Sequence, residues 1–143
     1  MSVSIPTHLA VQSFIARNGM SHQDLRNDGR LSLTLDKKYR VQLHSTSHHR
    51  VVLNSDLVSL AGQGNDRAIG EALARLMALG AGMLLQHPST LCVDERRHVL
   101  MLQQTLTAAA DGAAVESAIA EFVNVLPFWL SACAAESSLM VSR

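Results

Sequence analysis

The chain has 143 residues, about the size of one domain. Apolar residues make up 48% of it and charged residues 17%, which excludes intrinsic disorder as the state of the whole chain. Lysine and arginine together number 12, as do aspartate and glutamate, so the basic excess typical of nucleic-acid binders is missing. With aromatic residues at only 3%, this composition favours a scaffold or binding module over an enzyme.

Cysteine usage and hydropathy indicate the cellular compartment. Cys92 and Cys133 each lie in an apolar stretch, which favours buried free thiols in a reducing environment over a disulfide. Residues 1–5 lack a basic region followed by an apolar core, so no signal peptide is expected. The longest apolar run, Leu76 to Leu85, is about half of the roughly 20 residues that span a bilayer. We therefore expect a soluble, cytoplasmic protein.

The first part of the chain predicts a helix and three strands. Thr7 can cap the helix, and Gly19 is placed just past its end. Three strands then follow from apolar alternation and turn signals, at Leu31–Leu35, Tyr39–Leu43 and Val51–Leu53. The first two strands form a hairpin because only three residues connect them.

The middle of the chain predicts a long helix and two more strands. Asn65 or Asp66 caps this helix, which has a wide apolar face and is stopped by Pro88. The two short strands that follow, Leu91–Val93 and Val99–Leu102, are joined by a charged turn.

The last part of the chain predicts one further helix. Asp111 and Gly112 open it, and Pro127 should kink or divide it. The order is therefore helix, three strands, helix, two strands, helix. Because the loops between strands are tight, the strands pair in antiparallel fashion, and the fold class is α+β in a single domain over residues 1–143.

Candidate chemistry is sparse. No phosphate-binding loop, nucleophile elbow or pair of catalytic carboxylates is present in the sequence. His44, His48 and His49 could approach a metal ion from a hairpin loop, but no cysteine or carboxylate completes the set, so a solvated loop is the favoured interpretation. We therefore expect no catalytic residues, no metal and no cofactor.

The charges are distributed unevenly along the chain. Residues 22–50 carry a formal excess of basic side chains, whereas residues 111–143 are acidic. The basic hairpin could touch phosphates, but without interleaved aromatic residues it has no platform for stacking bases. Solvated strand faces are therefore the favoured interpretation, and no nucleic-acid partner is expected.

Small residues form a stripe along the second helix. Gly70, Ala74, Ala78 and Gly82 recur every four residues. Glycine inside a helix costs about 1 kcal/mol relative to alanine, so its presence suggests close approach by another backbone. The partner backbone is either the chain's own sheet or the same helix of a second subunit. Both alternatives remain open at this point.

Three segments resemble a known family. They are ARNGMSHQDLRNDGRLSLTLDKKYRVQLHS, LARLMALGAGMLLQHPSTLCVDERRHVLMLQQTL and AIAEFVNVLPFWLSA. With the order of elements, they resemble the class I type III secretion chaperones, the CesT/SycE-like group, over about Leu9 to Cys133. Two features depart from that group. Its members are usually acidic, and the helix end that often carries asparagine here reads Gly80-Ala81-Gly82.

The resemblance implies a cytoplasmic homodimer that is not an enzyme. Such a dimer binds the unfolded N-terminal region of a secreted effector, keeps it extended and delivers it to the secretion ATPase, without membrane insertion. We expect the first helix and the neighbouring sheet to form the effector-binding patch, with Val11, Phe14, Ile15, Leu33 and Val41 as candidates. For each residue taken singly, a place in the core is the favoured interpretation. For the dimer contact we expect Gly70, Ala74, Ala78, Leu91 and Val93.

Two other classes of function remain. One is a protein of the same fold that binds a folded partner in regulation and exports nothing. The other is a small enzyme or nucleic-acid binder. The resemblance favours the chaperone, and the physics agrees with it, because an extended peptide can add a strand to a sheet edge and press alternate side chains into apolar grooves. The sequence does not identify the effector.

Overall fold

The computed structural model describes residues 9–18, 30–46, 48, 50–62, 64–107 and 110–141, with side chains to residue 137. Three helices and five strands follow in the predicted order. Their bounds are α1 Leu9–Arg17, β1 Leu31–Leu35, β2 Tyr39–Ser45, β3 Val51–Ser59, α2 Asp66–Met83, β4 Thr90–Asp94, β5 Val99–Thr105 and α3 Gly112–Val141. The predicted element order is thus confirmed, and β3 and β5 extend further than their apolar alternation indicated.

The five strands form one sheet in the order β1-β2-β3-β5-β4. Both β1–β2 and β4–β5 are antiparallel pairs, as is β2–β3. The α+β class is therefore confirmed. Strands β1 and β4 end the sheet, and within the described residues each pairs with one neighbour only.

The β1–β2 hairpin has one apolar face. Leu31 lies opposite Leu43, and Leu33 lies opposite Val41. All four side chains are buried, whereas the intervening Ser32 and its neighbours on the other face are more exposed. The alternation of apolar and polar residues along these strands predicts such a face, because successive side chains in a strand point to opposite faces.

The turn of this hairpin runs through left-handed backbone. Asp36 has φ 51° and Lys37 has φ 61°. Lys38 N donates to the carbonyl of Leu35 at 3.1 Å and closes the turn. Two consecutive positive φ values match the right-handed twist of the flanking strands, which is why hairpins favour such turns. Aspartate tolerates this conformation better than lysine does.

The chain forms two compact units. Unit 1 comprises residues 1–55 and 104–124, and unit 2 comprises residues 56–103 and 125–143. Strands β3 and β5 and helix α3 each contribute residues to both units. The units are therefore not consecutive domains, and the single-domain boundary 1–143 stays a prediction.

Each unit has its own buried apolar residues. In unit 1 they are Ala10, Val11, Phe14, Ile15, Leu31, Leu33, Val41, Leu43, Val51, Val52, Leu53, Leu106, Val115, Ala118, Ile119 and Phe122. In unit 2 they are Leu60, Ala68, Ala72, Leu76, Leu100, Leu102, Leu126, Trp129 and Cys133. The recurrence of these residues along the helices explains the predicted apolar faces.

Side-chain caps fix where two helices begin. Asn65 Oδ1 accepts from Ala68 N at 2.8 Å at the start of α2, and Asp111 Oδ1 accepts from Ala114 N at 2.8 Å at the start of α3. Both predicted starts are confirmed. The predicted cap Thr7 and end signal Gly19 lie outside the described residues. Helix α2 ends at Met83, before Pro88 is reached.

Helix α3 is long and strongly apolar. It runs unbroken through Pro127, so of the two predicted effects of this proline, division of the helix does not occur, and the kink stays a prediction. An 18-residue segment within its stretch Gly112–Ser137 has a mean hydropathy of 1.5, and the stretch is long enough to cross a membrane by length and composition. The same stretch contains Glu116 and Glu136, which pair with arginines, and buries one side in each unit. These features are those of a core helix.

Candidate functional site

A groove of about 500 Å³ lies in unit 1. Residues from the end of α1, the tip of β1 and the first half of α3 line it. They are Phe14, Asn18, Leu35, Asp36, Glu116, Ile119, Ala120, Val123 and Asn124. A volume of this size falls within the about 300–1,000 Å³ of typical ligand pockets.

The inner part of the groove is apolar. Phe14 and Ile119 are almost fully buried and line it from α1 and α3, and Val123 adds a half-buried side chain. Helix α1 presents Phe14 there because its buried residues recur at helical spacing along one side. The exposed Ala120 leaves room between these larger side chains. The groove can therefore accept an apolar side chain without rearrangement of the core.

A charged network borders the groove. Arg17 Nε and Nη2 each donate to Glu116 at 3.2 Å, and Asn18 Nδ2 donates to Glu116 Oε1 at 3.0 Å. Asn18 Nδ2 also donates to the carbonyl of Phe14 at 2.9 Å. The hydrogen bonds from Arg17 hold the pKa of Glu116 below its ordinary value. The network ties the end of α1 to α3 and keeps the Glu116 carboxylate ionised at neutral pH.

A glycine allows α1 to approach α3 closely. A Cβ on Gly112 would overlap Ser13 Oγ and lie 3.0 Å from Ser13 Cβ and 3.2 Å from Arg17 Cδ. A real Cβ essentially never lies within 3.0 Å of another atom, and 3.0 Å from Ser13 Cβ is tighter than most real contacts, so a larger residue at position 112 requires Ser13 to rotate and α1 to shift by a few tenths of an ångström. The sequence pattern marked Gly112 only as the start of a helix. Its close contact with Ser13 becomes visible only in three dimensions.

The five predicted effector-binding residues are all buried. Their exposed fractions are 1% for Val11, 6% for Phe14, 2% for Ile15, 8% for Leu33 and 0% for Val41. Of these, only Phe14 lines the groove. The other four are core side chains in the described structure, and their contact with an effector stays a prediction.

Sequence reasoning missed most of the groove. Asn18, Glu116, Ala120, Val123 and Asn124 were not singled out as functional. The last four recur at helical spacing along α3, beside the apolar face that the pattern identified. The sequence therefore contained a second stripe of residues on α3, with both polar and apolar members. That this stripe lines a groove depends on the position of α1, which the periodicity of α3 does not reveal.

The small-residue stripe of α2 is open. Gly70, Ala74 and Ala78 are exposed. A Cβ on Gly70 or on Gly82 would meet nothing within 4 Å. Among the three glycines of α2, Gly80 alone has described neighbours this near, because a Cβ there would lie 3.5 Å from Trp129 and 3.6 Å from Leu91. The own-sheet alternative therefore does not explain Gly70 or Gly82.

Large apolar side chains are exposed on unit 2. They lie on α2 and just beyond its end, on β4 and on the second half of α3. Their exposed fractions are 38% for Met77, 41% for Leu79, 50% for Leu84, 101% for Leu85, 36% for Val93 and 42% for Phe128. Of the two predicted dimer residues on β4, Val93 is exposed and Leu91 is half-buried. Exposed apolar side chains in this number suggest a surface that contacts another protein.

Ion pairs brace unit 2. Arg75 on α2 forms a two-pronged pair with Glu136 on α3, with Nη2 to Oε2 at 2.7 Å. Arg97 in the β4–β5 turn bonds both oxygens of Asp56 at 2.9 Å and Asp94 Oδ2 at 2.9 Å. Planar bidentate geometry of this kind fixes orientation. The charges of these residues are paired with one another, and we interpret the pairs as structural.

Histidine and cysteine form no metal cluster in the part of the chain that the structure describes. His44 Nδ1 lies 3.4 Å from Asn54 Nδ2, and His49 lies outside the described residues. Both cysteines are free. Burial raises the pKa of the Cys133 thiol to about 11 and, with a smaller effect of Asp94, raises that of Cys92. Neither thiol is therefore activated as a nucleophile.

Comparison with solved structures finds chains of the same fold. A chain of the ExsC–ExsE complex matches with a TM-score of 0.62 and 22% identity, over 86% of this chain and 88% of that one. A chain of the HopA1–SchA chaperone–effector complex matches with a TM-score of 0.56 and 15% identity, over 86% and 90%. At these identities the likeness shows the fold alone.

A third match names the secretion system. It is the Yersinia pestis type III secretion chaperone SycH in complex with a stable fragment of YscM2, with a TM-score of 0.53 and 16% identity, over 85% of this chain and 96% of that one. A comparison with curated proteins finds no match. A family model for the Tir chaperone protein (CesT) family matches residues 10–130. That match covers most of the chain, and the protein belongs to the Tir chaperone protein (CesT) family.

Proposed function

We propose that this protein is a cytoplasmic chaperone for a type III secreted effector. It binds the unfolded N-terminal region of that effector, keeps it extended and delivers it to the secretion ATPase. The observation that carries the proposal is the open groove of unit 1, with its apolar interior and mixed rim. Family membership supports the chaperone class, and two matched folds come from complexes of a chaperone with a protein partner.

The sheet edge next to the groove suits an extended ligand. Strand β1 ends the sheet, and its last residue, Leu35, lines the groove. A peptide that pairs with the open edge of β1 can place alternate side chains toward the groove. Ordering ten residues costs about 10–20 kcal/mol of backbone entropy. At about 25 cal/mol per Å², offsetting this requires roughly 400–800 Å² of buried apolar surface, so the peptide must cover more than one groove.

Co-purification from the native host tests the chaperone function. We expect one partner to be retained, and limited proteolysis of the complex to leave its N-terminal segment protected. The same segment alone should show the narrow amide dispersion of an unfolded chain in NMR. A partner that binds only as a folded domain contradicts the chaperone function and supports the alternative, a regulatory protein of the same fold.

A substitution in the groove tests its place in binding. Ala120 lies on the groove wall and is exposed, so Ala120→Arg fills the groove with little effect on the core. Ala113→Arg is the matched control, because Ala113 is exposed on the same helix and does not line the groove. We expect the first variant to weaken binding of the N-terminal segment at least about tenfold, as a lost anchor does, and the second to leave it unchanged. Equal affinities for both variants contradict the assignment of the groove.

We propose further that the protein is a homodimer through the small-residue stripe of α2 and strand β4. The exposed Gly70, Ala74 and Ala78 allow a second helix to approach, and the exposed apolar side chains of unit 2 add area to the contact. Ala78→Arg should give a monomer in sedimentation velocity. The control Ala134→Arg places the same charge on an exposed position of α3 and should leave the dimer intact. An intact Ala78→Arg dimer contradicts this interface.

A further inference from the structure

A proline changes the hydrogen bonding of the groove wall. Val123 and Asn124 line the groove, and Pro127 follows Val123 by four residues in the same unbroken helix. A helical carbonyl accepts from the N–H four residues later, and proline has no N–H. The carbonyl of Val123 therefore lacks its helical donor. A main-chain acceptor is thus left without its usual partner within the helix.

The residue next to that carbonyl adds a second polar group. The Asn124 side chain is exposed and has no hydrogen-bond partner within the described residues. The other amide of the groove, Asn18, is already bonded to Glu116 and to the carbonyl of Phe14. An amide side chain provides one acceptor and two donors. The α3 wall thus offers a carbonyl and a carboxamide side by side, next to an apolar interior.

We propose that this wall binds the main chain of the effector segment. One peptide N–H donates to the carbonyl of Val123, the Asn124 carboxamide pairs with a neighbouring peptide group, and an apolar side chain enters the groove between them. This inference rests on the proposed function and specifies how the same site recognises its ligand. Pro127 acts as a positioning residue. It leaves the Val123 carbonyl without a helical donor, and it does not itself bind the peptide.

The chemistry of the wall selects an extended peptide as the occupant. A ligand that covers the Val123 carbonyl removes it from water and must supply a hydrogen bond of its own in order to bind well. Extended peptide supplies unpaired N–H groups at regular intervals, together with side chains that alternate in direction. Within a helical partner every N–H after the first four is already paired, so the side of a helix offers no main-chain donor. The carbonyl therefore favours an extended segment over the side of a helix.

Pro127→Ala gives effects of opposite sign on stability and binding. The alanine N–H restores the helical donor to Val123, so the midpoint of thermal unfolding should rise. Affinity for overlapping synthetic peptides of the co-purified partner's N-terminal segment should fall about two- to tenfold. Pro88→Ala is the matched control, because Pro88 lies outside all helices, and it should leave the affinity unchanged. Since the variant is more stable, a folding defect cannot explain weaker binding.

Amide-to-ester exchange in the peptide identifies the donor. One ester position should weaken binding to the native protein severalfold and cause no further loss in Pro127→Ala, because the acceptor is then already engaged. Asn124→Ala should weaken binding as well, while leaving that ester effect in place. Peptides that bind Pro127→Ala as tightly as the native protein overturn this inference alone. A complete failure of peptides to bind the native protein overturns the proposed function as well.

Discussion

Replacement of Gly112 by alanine should loosen the contact between α1 and α3. The new Cβ overlaps Ser13 Oγ and lies 3.0 Å from Ser13 Cβ, which is fixed to the backbone of α1. Neither rotation of Ser13 nor movement of Arg17 removes both conflicts, so α1 must shift. Overpacking of this kind costs about 1–3 kcal/mol, and alanine regains at most about 1 kcal/mol of helix propensity. We expect a net destabilisation of about 1–2 kcal/mol.

Urea unfolding monitored by far-ultraviolet circular dichroism measures this loss. Circular dichroism reports helix throughout the chain and therefore includes α1, which belongs to unit 1. Fluorescence of the single tryptophan, Trp129, reports on unit 2 instead. The double variant Ser13→Gly/Gly112→Ala exchanges which helix carries the small residue. It should be less destabilised than the sum of the two single variants by about 1 kcal/mol or more.

Two results would refute the reasoning. A Gly112→Ala variant as stable as the native protein means that α1 does not pack on α3 at this distance. Strict additivity in the double variant means that the loss does not arise at Ser13. Peptide affinity provides a second measurement, because a displaced α1 moves Phe14, which lines the groove. We expect Gly112→Ala to weaken peptide binding, and Ser13→Gly/Gly112→Ala to recover part of it.

Three further predictions follow from local geometry. Lys37→Gly should raise the free energy of unfolding by about 0.5–1 kcal/mol, measured in urea, because glycine adopts the φ of 61° without strain; no gain would contradict strain at this turn. The stability advantage of the native protein over Glu116→Gln should be full near neutral pH and vanish in acid. The lowered pKa of Glu116 means that its contribution is lost as the pH falls below the ordinary value of 4.5, and a pH-independent difference would contradict the pairing with Arg17. Cys133 should resist thiol reagents at about pH 8 until the protein is unfolded, since burial raises its pKa to about 11, and rapid labelling of the native protein at Cys133 would contradict that burial.

Local patterns in the sequence were sufficient to predict the order of the elements and the α+β class. Strict alternation in Leu31–Leu35 predicts both the strand and its buried face, because side-chain direction in a strand follows residue parity. The side chains of Asn65 and Asp111 cap the starts of α2 and α3 through contacts only three residues away. Each of these features depends on neighbours in sequence. They can therefore be recognised without knowledge of the tertiary structure.

The groove depends on contacts between distant residues. Glu116 meets Arg17 across 99 positions of sequence, and neither residue type nor spacing indicates that pair. Phe14 was identified because it is large and apolar, but the other four residues predicted with it are core, as their high hydrophobicity also implies. The groove is lined in part by half-buried and small residues such as Val123 and Ala120, which carry no distinct sequence signal.

The left-handed turn after β1 limits how the groove can vary in evolution. Asp36 stands at the groove edge with φ 51°, a conformation that aspartate, asparagine and glycine adopt at little cost and that branched residues avoid. Those three residues provide a negative charge, a neutral amide or no side chain at all. Substitution among these three residues can therefore change the chemistry of the groove edge without changing the backbone conformation of the turn. Along the α3 wall, where helical backbone accepts most residue types, the range of possible specificities is far wider.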